Sequence, residues 1–80
     1  MVMGYSQNEW NDIFGDNLRD ILKETGYSQT DLSNSTNLKR ESINKYIKKH
    51  RTPKITSLIE MSAEFNISLH ELAFFGDRID

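Results

Sequence analysis

The sequence predicts an all-α fold, a compact domain of five short helices, on three observations. Helix-start signals, in which a Ser or Thr side chain can accept from backbone N–H groups two or three positions on, recur at Ser6, Ser28, Thr52 and Ser68. No run alternates apolar and polar residues as a half-buried strand would. Residues 29–48, QTDLSNSTNLKRESINKYIK, read as two short helices around a tight corner, with Leu32, Thr36, Leu38, Ile43 and Tyr46 where such a unit must close on itself.

Residues 1–10 are expected to form a flexible segment, loosest over 1–5, with the domain over 11–76 and a tail over 77–80. The first helix starts either at Ser6-Gln7-Asn8-Glu9, which has capping-box spacing, or at Asn11. Trp10, Ile13, Phe14, Asn17, Leu18, Ile21 and Leu22 keep helical spacing, and Gly26 stops the run because glycine takes a left-handed position without strain. Gly15, inside that helix, weakens it by roughly 1 kcal/mol against alanine. Ser28-Gln29-Thr30-Asp31 opens a short second helix that ends near Asn34 or Ser35. Asn37 then sits at the corner, where a positive φ is expected and asparagine tolerates it best after glycine.

The third helix runs from about Arg40 to Lys49. At roughly 100° per residue, Ile43, Tyr46, Ile47 and His50 share one side, while Arg40, Glu41, Asn44, Lys45 and Lys48 share the other. Thr52-Pro53 offers an N-cap followed by proline at the first helical position. The fourth helix carries Ile55, Leu58, Ile59, Ser62 and Ala63, with Phe65 at its end and Asn66 as a left-handed stop. Ser68-Leu69-His70-Glu71 is a further capping box, opening a fifth helix through Leu72 and Phe75 that Gly76 closes.

Composition excludes several functions. Eighty residues allow one domain, and no cysteine is present to form a disulfide or thiolate metal site. His50 and His70 lack the spacing of a ligand pair, so neither a metal nor a cofactor is expected. No nucleophile–base pair and no phosphate-cradling glycine loop exists, which makes an enzyme the weakest class. No apolar run approaches the roughly 18 residues of a membrane span and no signal pattern appears, so a cytoplasmic, nucleoid-associated protein is expected.

The net charge of −2 is unevenly spread. Residues 1–38 carry six acids and two bases, residues 39–54 seven bases and one acid, and residues 55–80 five acids and one base. A nucleic acid responds to the local field within a Debye length of about 8–10 Å, so the basic block at +6 matters more than the total. The block coincides with the polar side of the third helix. Asp12, Asp16, Asp20 and Glu24, spaced by four along the first helix, read as a solubilising face averse to DNA.

Taken together, Gly26-Tyr27-Ser28-Gln29, then Leu32, Ile43 and Tyr46, the turn over 51–53, and Asn66-Ile67-Ser68-Leu69-His70-Glu71-Leu72 resemble the XRE-like helix-turn-helix family, the phage repressor and Cro type, over residues 14–75. The resemblance implies a lambda-repressor-like domain in which the second helix of the motif enters the major groove. It implies that Arg40, Glu41, Asn44 and Lys45 face base edges and that Gln29 touches a phosphate. Arginine or lysine suits guanine, asparagine suits adenine and a carboxylate suits cytosine. Lys39, Lys48, Lys49, Arg51 and Lys54 would be phosphate contacts that position without reading sequence.

Three departures stand out. Asn37 replaces the usual corner glycine. Lys39 is a poor cap, and with Arg40 it sets positive charge against the positive helix end, a mismatch of some tenths of a kcal/mol that a phosphate would reverse. Leu22 and Ile47 replace the buried arginine–glutamate pair of many relatives by an apolar contact.

Glu41 has two readings, a cytosine contact or an i, i+4 partner that aims Lys45. Leu69, Leu72, Phe74 and Phe75 exceed what a short helix needs for its own core, which offers either a dimer contact or a fold-back against Trp10 and the first helix. The function expected is a sequence-specific transcriptional regulator, a phage or prokaryotic repressor of Cro-like size, binding a pseudo-palindromic double-stranded operator as a homodimer. Eighty residues leave no room for a sensor domain, so control is expected through concentration, competition for sites or a protein partner. The alternative is an interaction module, such as an antitoxin or anti-repressor, that keeps the fold with little DNA binding of its own.

Overall fold

A computed structural model describes residues 6–74, the last by its backbone alone. Among the described residues the chain is helical and has no strand: α1 Gln7–Thr25, α2 Gln29–Ser35, α3 Arg40–Ile47, α4 Ile55–Phe65 and α5 Leu69–Phe74. The longest helix, α1, packs on α5 and α3, α2 packs on α3, and α4 packs on α5. No described helix is long and apolar enough to cross a membrane.

Of its two possible starts α1 takes the earlier. The Glu9 N–H donates to Ser6 Oγ at 3.1 Å and the Ser6 N–H donates to Glu9 Oε1 at 2.9 Å, a closed capping box. Residues 7–10, assigned from sequence to a flexible segment over 1–10, are therefore helical. The same reciprocal box starts α2 at Ser28 and Asp31, and α5 at Ser68 and Glu71. The two bonds from Ser28, backbone first and then hydroxyl, hold the Asp31 carboxyl below its ordinary range.

Phe14, Leu18 and Ile21 of α1, Leu32 of α2, Ile43 of α3, Met61 of α4 and Leu72 of α5 are essentially sealed from solvent. Burial of each such side chain favours folding by about 1.5–3 kcal/mol. Every helix thus puts at least one side chain into one shared core, and α2 holds to it through Leu32 alone. Two polar side chains, Asn17 and Ser57, are buried with them, and the Asn17 amide donates to the Ala73 carbonyl and ties α5 to α1. Leu72, expected as a dimer contact, belongs to this core instead. Leu69 remains on the surface, while Phe75 and the Phe74 side chain, also expected there, lie outside the described residues, as do Gly76 and the tail 77–80.

Three connections differ from expectation. The corner between α2 and α3 contains no positive φ at Asn37. Thr36 is extended (φ −132°), its hydroxyl donates to the Leu32 carbonyl at 2.7 Å, and its oxygen accepts the Leu38 N–H at 3.1 Å. Side-chain bonds close this corner, so no left-handed residue is needed.

The third helix ends at Ile47, earlier than Lys49, because Lys49 itself turns left-handed at φ 68°. His50 N–H reaches back to the Lys45 carbonyl at 2.8 Å and Lys49 N–H to Tyr46 at 3.0 Å, the paired bonds of a Schellman stop. The fourth helix starts at Ile55 behind Lys54, two residues later than Thr52-Pro53 implies. Thr52 does not cap it; its hydroxyl donates to Asn11 Oδ1 on α1 at 2.7 Å, and Pro53 is buried. Asn66 adopts the expected left-handed stop at φ 57°.

Candidate nucleic-acid interface

The pose of α3 follows from what its inner side touches. Ile43 and Tyr46 are buried, and the Tyr46 ring meets Phe14 of α1 edge-on at 6.1 Å between centroids. The Tyr46 hydroxyl donates to Ser57 Oγ of α4 at 3.2 Å. The helix is therefore gripped from both sides by side chains that lie outside residues 29–48.

Its C-terminal end comes unusually near α1. A Cβ placed on Gly15 would lie 2.8 Å from the Tyr46 carbonyl oxygen and 3.1 Å from that of Ile47. The glycine taken from sequence as a weakness in α1 is thus what lets the two backbones meet. Lys49 completes the junction: its ammonium lies 3.1 Å from Asp12 and 3.0 Å from Asp16. The hydrogen bond to Asp16, then that to Asp12, raises Lys49 above its ordinary pKa of 10.5. Asp12 and Asp16, expected as part of a solubilising face, are thus ion-pair partners of Lys49, which was expected among the phosphate contacts.

The outer side of α3 carries the remaining polar set. Arg40, Glu41 and Lys48 are exposed, and Asn44 and Lys45 are half-buried, Asn44 at the seam with α2. Asn44 Nδ2 donates to Gln29 Oε1, at the first position of α2, at 3.2 Å. Glu41 sits 3.8 Å from Lys45, the i, i+4 pairing that was one of its two readings. Arg51 Nη1 donates to Ser42 Oγ at 3.0 Å, which lays the arginine along the edge of α3. Lys39, Arg40, Lys48 and Lys54 are exposed and form no ion pair among the described residues.

A shallow concavity runs beside α3 from the corner to the loop after it, lined in part by Lys39, Ser42, Arg51 and Lys54. Both helices bordering it, α3 and α4, begin behind a lysine with no side-chain cap. No cap side chain closes either first turn, unlike those closed by the serines of α1, α2 and α5. Cations and uncapped helix ends on one side suit an anionic polymer.

Two supports of the site were invisible in the sequence. Glu60 of α4 accepts the Asn37 backbone N–H at 2.9 Å and the Asn37 side-chain amide at 3.2 Å, bracing the corner just before α3. Tyr27 donates to Glu64 at 2.5 Å and stacks edge-on against Phe65, fastening the start of the motif to the end of α4. The Glu64 bond, then desolvation, raises the Tyr27 pKa. Local patterning carries no signal for either pair, because the partners lie 23 and 37 residues apart.

The family model described as helix-turn-helix matches residues 18–72, more than half of the chain. No curated protein and no solved structure matches it.

Proposed function

The chain belongs to the XRE-type helix-turn-helix family, whose members bind DNA, and from that premise we propose that it is a sequence-specific transcriptional repressor that sets α3 in the major groove of its operator. The observation that carries this reading is the outer side of α3, where Arg40, Asn44 and Lys45 stand together with Lys39, Lys48, Arg51 and Lys54 around them. Arg40, Asn44 and Lys45 read base edges; Gln29, Lys39, Lys48, Arg51 and Lys54 hold phosphates. Glu41 aims Lys45 in preference to reading cytosine, in keeping with their 3.8 Å separation. The protein works in the cytoplasm on the nucleoid, as a two-fold pair on a pseudo-palindrome with half-sites about 10 bp or a multiple apart.

The test is binding to the DNA upstream of its own coding sequence and to a scrambled duplex of equal length. Tighter binding to the first, reduced by roughly 1–3 kcal/mol in Asn44→Ala and in Lys45→Ala, is the expected result. No binding to either duplex at low salt overturns it.

One observation favours a second reading as a protein-interaction module. Ile55 and Ile59, 60% and 50% exposed, stand one turn apart on the outer side of α4, with Leu69 of α5 also exposed at 42%. Such a surface suits a partner, whether a second copy or another protein. Under that reading the Asn44 and Lys45 variants retain the partner and Ile59→Asp loses it.

A further inference from the structure

We infer that Gln29 is a positioning residue for Asn44, fixing the orientation of its amide so that α3 selects adenine at the base Asn44 meets. The inference rests on the DNA reading proposed above and assigns to Gln29 a role beyond phosphate contact.

Asn44 has two N–H donors on Nδ2 and an acceptor at Oδ1. One N–H is donated to Gln29 Oε1 at 3.2 Å, from the middle of α3 to the first residue of α2. Because Gln29 offers its carbonyl oxygen to that bond, the Asn44 nitrogen is held on the α2 side. What remains of Asn44 for a ligand is one N–H and Oδ1. In the major groove only adenine among the four bases presents an acceptor, N7, beside a donor, the N6 amino group. Guanine presents two acceptors, cytosine a donor, and thymine an acceptor with a methyl group. An amide with one donor and one acceptor to offer, in a fixed order, therefore matches adenine and leaves a group unpaired on any other base. Released from Gln29, the same amide can turn over and present the two groups in the opposite order, which relaxes the choice.

Both residues are half-buried, and the ends of the bond belong to elements held independently. The first turn of α2 is fixed by the Ser28–Asp31 box, and α3 by Tyr46 and Ile43 in the core. The bond therefore acts on the direction of a side chain and not on the placement of either helix.

The experiment selects binding sites from a random duplex pool with the wild-type protein. It then measures affinity of wild type, Asn44→Ala, Gln29→Ala and Gln29→Glu on the selected duplex and on its single-base replacements, with a thermal melt of each variant to show that it folds. The expected result is one adenine position whose preference disappears in N44A and falls about fivefold in Q29A, the equivalent of one hydrogen bond. Gln29→Glu is the conservative rescue. It can only accept, so it restores the adenine preference while its negative charge lowers affinity for all duplexes alike. A merely structural role of Gln29 lowers affinity without moving the preference. If the wild type enriches no sequence, the DNA reading fails and takes the inference with it. If a site is enriched but N44A flattens no position, or flattens one that is not adenine, or Q29A leaves the preference intact, the inference alone is overturned.

Discussion

Gly15 and Lys49 show how single residues set the pose of α3. Gly15→Ala should gain roughly 1 kcal/mol of helix propensity in α1. Against that stands a methyl group 2.8 and 3.1 Å from two backbone carbonyl oxygens, which cannot turn aside as a side chain would. Overpacking of this kind costs about 1–3 kcal/mol, so the net effect is destabilising by up to roughly 2 kcal/mol in a urea titration. DNA affinity should fall with it, because α3 is the element that must move.

Lys49 makes the complementary prediction. Its left-handed backbone is unfavourable for a residue with a Cβ, and the ion pairs to Asp16 and Asp12 hold it there. Its pKa is higher folded than unfolded, so its contribution to stability is complete below the ordinary value of 10.5 and is lost as pH rises through the raised one. Tyr27, also raised, titrates with the same sign. The melting temperature should therefore drop in the alkaline range; Lys49→Gln should remove part of that drop and Tyr27→Phe the remainder. An alkaline drop unchanged in both variants would contradict the assignment.

At the scale of elements, the helix starts divide by the range of the force that makes them. Ser6, Ser28 and Ser68 close capping boxes with a residue three positions on, and all three starts are legible from sequence because every bond in them is local. The amphipathic side of α3 is legible for the same reason, since Ile43 and Tyr46 follow from helical period alone. What sequence missed comes from contacts made across the fold. The approach of Gly15 to Tyr46, the brace of Glu60 on Asn37 and the withdrawal of Lys49 to α1 depend on how helices meet, which spacing along one helix does not encode.

The corner between α2 and α3 is the sharpest case. Asn37 invites a left-handed turn by type, yet Thr36 supplies the closure through its hydroxyl. Thr36→Val keeps the shape but removes both bonds in a half-buried place. It should cost about 1–3 kcal/mol in chemical denaturation. Glu60→Ala frees an exposed Asn37 that water can serve, so its cost should be smaller than that of Thr36→Val. The reverse order would mean that Glu60, not Thr36, closes the corner.

For the whole molecule, the question is how a chain of net charge −2 holds a polyanion. The bases of residues 39–54 gather along α3 and the loop after it, while Asp20 and Glu24 stay exposed on α1. The α3 side then presents the densest run of cations to a duplex, while an approach over α1 meets Asp20 and Glu24, which disfavours loose binding. On the proposed reading, Lys39, Lys48, Arg51 and Lys54 are the four cations that meet phosphates, with Lys49 paired to Asp12 and Asp16. Each phosphate neutralised contributes about −0.9 to the slope of log affinity against log salt. A single bound protomer should therefore give a slope near −4, and a two-fold pair on adjacent half-sites roughly twice that. Lys48→Ala should make the slope about 1 unit shallower per protomer at unchanged stability. Lys49→Ala should leave the slope alone and lower the melting temperature. If Lys49→Ala instead changes the slope as Lys48→Ala does, the ion pairs to α1 open on DNA, and Lys49 rejoins the phosphate-contacting set that its place in the sequence implies.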